Sequence, residues 1–126
     1  MQNKSLIIQQ ALCSICEIPD TEWRKIETLF GNKSILKSEV LLGQGEISNQ
    51  FYFIVKGIVR FYYTTSEGKE FNKSFHTEND FIGALLTIKK GMPSTFSIQA
   101  LEDCELISIS YNEFNKLFES HPCWER

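Results

Sequence analysis

Gly83 leads into a short turn over Leu85-Leu86-Thr87-Ile88, and ten or so residues later stand two adjacent hydroxyls, Ser94-Thr95. A glycine-led helix start points free backbone N–H groups outward, where they suit an anion. Ser94 and Thr95 read as turn formers and anion ligands. Nucleophilic catalysis lacks its partners, because neither hydroxyl has a histidine near it in sequence and no glycine-flanked nucleophile elbow occurs. The two histidines, His76 and His121, lie too far apart in the chain to build the usual ligand set of a catalytic metal. His76 reads as a packing or surface residue of a strand.

The elements that must hold these groups follow from the apolar pattern. Leu6, Ile7, Gln10, Ala11 and Ile15 have helical spacing up to Pro19, and Asp20-Thr21-Glu22-Trp23 restarts a helix with Asp20 or Thr21 as its cap. From Ser34 the pattern changes to short segments rich in Ile, Val, Phe and Tyr, punctuated at Gly43, Gly45, Gly57, Gly68, Gly83 and Gly91. Short strands between glycine-containing turns indicate an antiparallel sandwich or barrel. Ser66-Glu67-Gly68-Lys69 forms a hairpin tip, and Gly57 ends one strand and reverses into Ile58-Val59-Arg60-Phe61-Tyr62-Tyr63. Tyr111 to Ser120 is helical, with Phe114, Leu117 and Phe118 on one face, and His121-Pro122 breaks it.

A chain of 126 residues suits one domain with one core. Its 42% hydrophobic content and net charge of -3 argue against disorder. Apolar runs fall well short of the roughly 20 residues that span a bilayer. Leu6-Ile7-Ile8 is interrupted at once by Gln9-Gln10, so no signal-peptide core is read and the default location is cytoplasmic. A pI near 5.4 and scattered lysines give no basic face for nucleic acid, and the pair Lys89-Lys90 reads as a solvated turn.

Phe51-Tyr52-Phe53-Ile54-Val55-Lys56-Gly57-Ile58-Val59-Arg60-Phe61, then Glu67-Gly68-Lys69-Glu70, Asp80-Phe81-Ile82-Gly83, and Cys104-Glu105-Leu106 through Ile109-Ser110-Tyr111 together resemble the sensor domain of the Crp/Fnr family of bacterial transcription regulators. The resemblance covers roughly Lys25 to Pro122. It implies a mainly β fold, an antiparallel double-stranded β-helix (a jelly-roll-like β-roll) of about eight strands with flanking N- and C-terminal helices. As a single cyclic-nucleotide-binding-like domain, the chain divides into a helical lead-in over about 1–32, the roll over about 33–110 and a C-terminal helix over about 111–120. The family's phosphate-binding cassette carries a Glu directly after its Gly and an Arg followed by Ser or Thr eleven and twelve positions after that Gly. Counted from Gly83, with Ala100 in register at the end, these positions hold Ala84, Ser94 and Thr95. Losing both charged contacts, at about 1.5–3 kcal/mol each, turns a micromolar site into a millimolar one or worse at about 1.4 kcal/mol per decade. Cyclic AMP and cyclic GMP are therefore not expected as effectors, and the small-molecule effector is left unidentified.

The same register puts Phe61 and Lys73 where the family's pocket wall is commonly aliphatic. The candidate pocket thus comprises Phe61, Lys73, Gly83, Ala84, Leu85, Ser94 and Thr95. Phe61 would fill space that a purine needs. Lys73 either replaces the charge missing at Ser94, which suits an acidic ligand, or snorkels out of the rim, the reading preferred from sequence. Phe71, Lys73 and Phe75 would alternate onto one strand face. One branch of the family binds an iron–sulfur cluster through N-terminal cysteines, which makes Cys13 and Cys16 a weak candidate pair. The spacing lacks a third N-terminal cysteine, so no metal or cofactor is expected. The resemblance implies a non-enzymatic sensor that acts allosterically, forms a homodimer in the full-length protein and contacts DNA only through a C-terminal domain outside this sequence, with no membrane role. A stand-alone ligand-binding or protein-interaction module of the same fold is the alternative. A cupin-like enzyme, which would need several histidines and a carboxylate on a metal, ranks third.

Overall fold

The computed structural model describes residues 30–112, with Leu85 and Leu86 described in their backbone alone. Eight strands carry the fold: β1 (Phe30–Ile35), β2 (Val40–Leu42), β3 (Gln50–Lys56), β4 (Val59–Thr64), β5 (Glu70–His76), β6 (Phe81–Ile82), β7 (Ser97–Ala100) and β8 (Cys104–Ser110). One short helix, α1 (Leu85–Lys90), lies between β6 and β7. The strands form two antiparallel four-stranded sheets, ordered β1-β8-β3-β6 and β2-β7-β4-β5. This is the expected β-roll. Strand β1 begins at Phe30, inside the stretch expected to end the helical lead-in near 32. The rest of the lead-in, with Cys13 and Cys16, and the C-terminal helix beyond Asn112 fall outside the described residues.

Alternation along the strands builds the interior. Ile54 pairs with Leu106 and Ile35 with Cys104 in the first sheet, and Phe61 pairs with Ile98 and Val59 with Ala100 in the second. These side chains are buried and belong to a single apolar cluster that includes Ile82, Ala84 and Phe96. Burying each large aliphatic or aromatic group contributes about 1.5–3 kcal/mol, so the cluster fixes the register of both sheets at once.

Two glycines answer specific demands. Gly68 has φ of 85° at the β4–β5 hairpin tip, where Thr65 accepts from the Gly68 N–H and donates its own N–H to the Lys69 carbonyl. Gly57 has φ of 114° and carries the chain from the first sheet into the second. A Cβ there would collide with the Cys104 sulfur and lie 2.9 Å from the Cys104 Cα and 3.0 Å from the Asp103 carbonyl oxygen. Backbone cannot step aside as a side chain can, so only glycine fits this crossover. Its N–H donates to the Glu78 carboxylate at 2.7 Å, which ties the crossover to the turn after β5.

On the outer face of the second sheet, Arg60 spans three strands. It donates to Gln99 at 2.9 Å, to Asn72 at 2.8 Å and to Glu70 at 3.0 Å, with its guanidinium 4.0 Å from the centre of the Tyr62 ring. The planar fork of Arg makes this multiple role possible.

Candidate functional site

Strand β6 delivers Gly83 and Ala84 to the start of α1. A Cβ on Gly83 would sit 2.8 Å from Ile88 Cδ1 and 3.0 Å from Phe51 Cβ, so the glycine lets α1 lie close against β3. The Ala84 carbonyl accepts the Ile88 N–H at 2.9 Å, and its methyl is buried in the apolar cluster. No capping side chain is present at Ala84. Thr87 Oγ1 accepts the Ser48 N–H at 2.9 Å, anchoring α1 to the loop before β3. Lys89 and Lys90 lie in the last turn of α1, where positive charge complements the helix dipole, and not on a loop.

The loop after α1 is pinned from below. Ser94 N–H donates to the Glu46 carbonyl at 2.8 Å, and the Ser94 carbonyl accepts from Gly45 N–H at 2.7 Å. The Ser94 side chain is almost fully buried. Its hydroxyl donates to the Phe96 carbonyl at 2.6 Å and accepts the Phe96 N–H at 3.3 Å. That hydroxyl is committed within its own loop, clasping the backbone of Phe96. Thr95 beside it is exposed, and its hydroxyl has no hydrogen-bond partner among the described residues.

The clasp sets an aromatic stack. Phe96 lies 4.6 Å from Phe61 with ring planes 22° apart, and Phe61 lies 4.3 Å from the His76 ring. The Lys73 ammonium sits 4.5 Å from the centre of the Phe96 ring. The order of contact is Lys73, Phe96, Phe61, His76. Offset stacking of this kind adds about 0.5–1.5 kcal/mol per ring pair beyond area burial. The stack lines a cavity of about 340 Å³ whose wall also includes Ser74, Gly83, Ala84, Ser94 and Thr95. Leu85 opens α1, and its side chain falls outside the described residues.

The register predicted from sequence therefore brings Phe61, Lys73, Gly83, Ala84, Ser94 and Thr95 to one cavity. Three neighbours escaped it: Ser74, His76 and Phe96. For the two on β5, Ser74 and His76, the cause is a β-bulge. Phe61 pairs with Ser74 but Tyr62 pairs with Asn72, leaving Lys73 as the extra residue of β5. Phe71, Lys73 and Phe75 therefore do not share a face as strict alternation requires. Phe75 opposes Arg60, Phe71 stacks on Tyr63 at 5.4 Å, and Lys73 is turned to the cavity mouth. Its residue surface is exposed, yet the ammonium folds over Phe96 in place of leaving the rim.

Ser74 Oγ and His76 Nε2 are 2.9 Å apart, a nucleophile–base contact that sequence spacing did not reveal. The third member of a triad fails. Asp80 Oδ2 is 3.8 Å from His76 Nδ1, beyond hydrogen-bond reach, and accepts the Thr77 N–H at 2.9 Å. Without an orienting carboxylate bond the imidazole is not held in the tautomer a base needs. No group of three or more His, Cys, Asp or Glu able to hold a metal occurs among the described residues. The buried Cys104 thiol is pushed up from its ordinary pKa, chiefly by burial, and donates to the Glu102 carbonyl at 3.2 Å, so it stays protonated and inert. A second hollow, about 620 Å³, opens between Lys37, Lys56, Glu102, Asp103 and Glu105, where acids outnumber bases. No helix of the described residues is long and apolar enough to cross a membrane.

Comparison with known proteins gives a consistent picture. Residues 32–121 match the family described as the cyclic nucleotide-binding domain. The cAMP-activated global transcriptional regulator CRP of Salmonella typhimurium is 37% identical over 82 residues, 65% of this chain and 39% of the regulator. The chain thus spans about two fifths of the length of that relative. Among solved structures, the sensor domain of the transcriptional regulator DNR from Pseudomonas aeruginosa aligns with a TM-score of 0.81 at 20% identity, covering 94% of this chain and 82% of that one. The Thermus thermophilus catabolite activator protein aligns at 0.75 and 18%, covering 87% and 51%. At these identities the structures establish the shared fold.

Proposed function

We propose that this chain, which belongs to the cyclic nucleotide-binding domain family, is the Crp/Fnr-type regulatory sensor of a transcription regulator whose nucleotide pocket has been converted to another effector. The observation that carries this reading is the use made of Ser94. At the position where the family places its phosphate-gripping Arg, the side chain is short, buried and committed to Phe96. The ring so held stacks on Phe61 in the cavity wall. Ala84, at the position of the ribose-gripping Glu, offers a methyl group packed in the core. A cyclic nucleotide entering here would find no guanidinium for its phosphate and no carboxylate for its ribose. It would also have to separate the stacked rings of Phe61 and Phe96.

In this reading the domain has no catalytic role. It works by allostery, an effector in the roll favouring one of two arrangements of the regulator. DNA contact and firm dimerisation belong to segments C-terminal to the roll, as the Crp/Fnr resemblance implies. The relatives are named as cAMP-activated, so the test is direct: calorimetric titration of the chain with cyclic AMP and cyclic GMP. The expected result is no saturation at micromolar ligand. A dissociation constant below about 10 µM, a free energy near -7 kcal/mol, would overturn the proposal.

A further inference from the structure

We propose that the cavity is a binding site for a small organic monoanion, a monocarboxylate with a short apolar body, whose carboxylate is taken by the Lys73 ammonium and the Thr95 hydroxyl. The inference rests on the altered pocket described above and names the ligand class that pocket fits. At about 340 Å³ the cavity lies at the small end of ligand pockets, which run from roughly 300 to 1,000 Å³. Its one permanently charged wall residue is Lys73, and neither Asp nor Glu lines it. The ammonium has no ion pair or hydrogen bond among the described residues, only the face of Phe96. A cation–π contact at a partly exposed site is weaker than a charge-assisted hydrogen bond, so a carboxylate can draw the ammonium from the ring. Thr95 supplies a hydroxyl that no other described residue engages.

The remaining wall selects the body of the ligand. Phe61, Phe96, Gly83 and Ala84 present carbon, which suits a short apolar body. A dianion is disfavoured because one ammonium leaves its second charge desolvated and unpaired. A nucleobase is disfavoured because the ring faces are already stacked in sequence from Phe96 through Phe61 to His76.

The experiment is a titration of the full 126-residue chain, labelled with nitrogen-15, with sodium butyrate and sodium benzoate at constant ionic strength. Butyramide and benzamide serve as neutral isosteres. Saturable shifts are expected at the amides of Ala84, Thr95 and Phe96, with dissociation constants of about 1 mM or tighter. The amide isosteres and Lys73→Met should bind at least about tenfold more weakly, and Lys73→Arg should stay within about threefold of the parent, since it keeps the charge-assisted hydrogen bond. Isosteres that bind as well as the acids, an unaffected Lys73→Met, or a folded spectrum with no saturable shift would each overturn the inference. Cyclic AMP is added in a parallel titration. Saturation by cyclic AMP would overturn the altered-pocket reading itself, whereas failure of the acids and of cyclic AMP together would overturn the monocarboxylate site alone.

Discussion

If two missing side chains are what bar a cyclic nucleotide, restoring them should restore binding in a calculable amount. The paired change Ala84→Glu and Ser94→Arg returns a carboxylate and a guanidinium to the cavity. Hydrogen bonds to charged groups are worth about 1.5–3 kcal/mol each, a gross gain of about 3–6 kcal/mol. Two opposing terms come from the structure. Ser94→Arg breaks both bonds to Phe96, at about 1 kcal/mol apiece, and the Phe61 ring, stacked on Phe96 in the cavity wall, still takes space that a purine needs. The pair alone should therefore gain about tenfold at most over a parent weaker than about 1 mM. Adding Phe61→Leu removes the ring for a stability cost of about 1–3 kcal/mol, tolerable within the usual 5–15 kcal/mol of a domain, roughly. Starting from about -4 kcal/mol, the triple variant should reach about -7 kcal/mol, a dissociation constant near 10 µM for cyclic AMP by calorimetry. Circular dichroism and a cooperative urea transition establish that it is folded. A folded triple variant that gains less than about tenfold refutes the reasoning, because the backbone cradle from Gly83 to Thr95 would then be unable to seat a phosphate whatever side chains surround it.

Replacing Gly57 with alanine should cost at least about 3 kcal/mol in urea unfolding, since strain at a positive φ adds to a clash with backbone atoms of Cys104 and Asp103; a loss under about 1 kcal/mol would show the crossover to be pliable. The Glu78 carboxyl is held below its ordinary value near 4.5, first by the Thr77 hydroxyl and then by the Gly57 N–H. A depressed carboxylate pKa contributes stability that is present above the unfolded value and is lost as pH falls through the folded one. Glu78→Gln should thus be less stable than the parent at neutral pH, with the gap closing in acid below that value; a gap independent of pH would refute the assignment. With a net charge of -3 and no basic face, the chain should leave random duplex DNA unshifted at low salt, and salt-sensitive micromolar binding would contradict this.

How far the site was legible depends on what each feature asks of the sequence. The strands and the hairpin at Gly68 are written in glycine positions and apolar pattern, signals that act over a few residues and survive on one strand at a time, whereas the roll topology and the reach from Gly83 to Ala100 are legible through the Crp/Fnr resemblance. Phe61 is placed by the register of that resemblance, and β4 agrees with it, alternating from buried Val59 through half-buried Arg60 to buried Phe61 before the bulge begins. The bulge at Lys73 leaves no such mark. It is decided by the pairing of β5 with β4, where one extra residue re-aims its neighbours. Lys73 consequently reads as a snorkelling rim residue in a strictly alternating strand, and Ser74 and His76 do not read as pocket residues at all.

Ser94 shows the complementary limit. Register alone marks it as the loss of an Arg, a purely negative statement. In the folded chain the same residue has a positive role: its hydroxyl fixes both backbone polar groups of Phe96, the fixed ring stacks on Phe61, and its free face receives the Lys73 ammonium that the bulge delivers. Each of these residues depends on the others. An Arg at position 94 would put a second cation beside Lys73, and a loosely held Phe96 would give neither Phe61 nor Lys73 a partner. The local choices support one another, which is the consistency across levels expected of a sequence that specifies a single arrangement of this cavity wall.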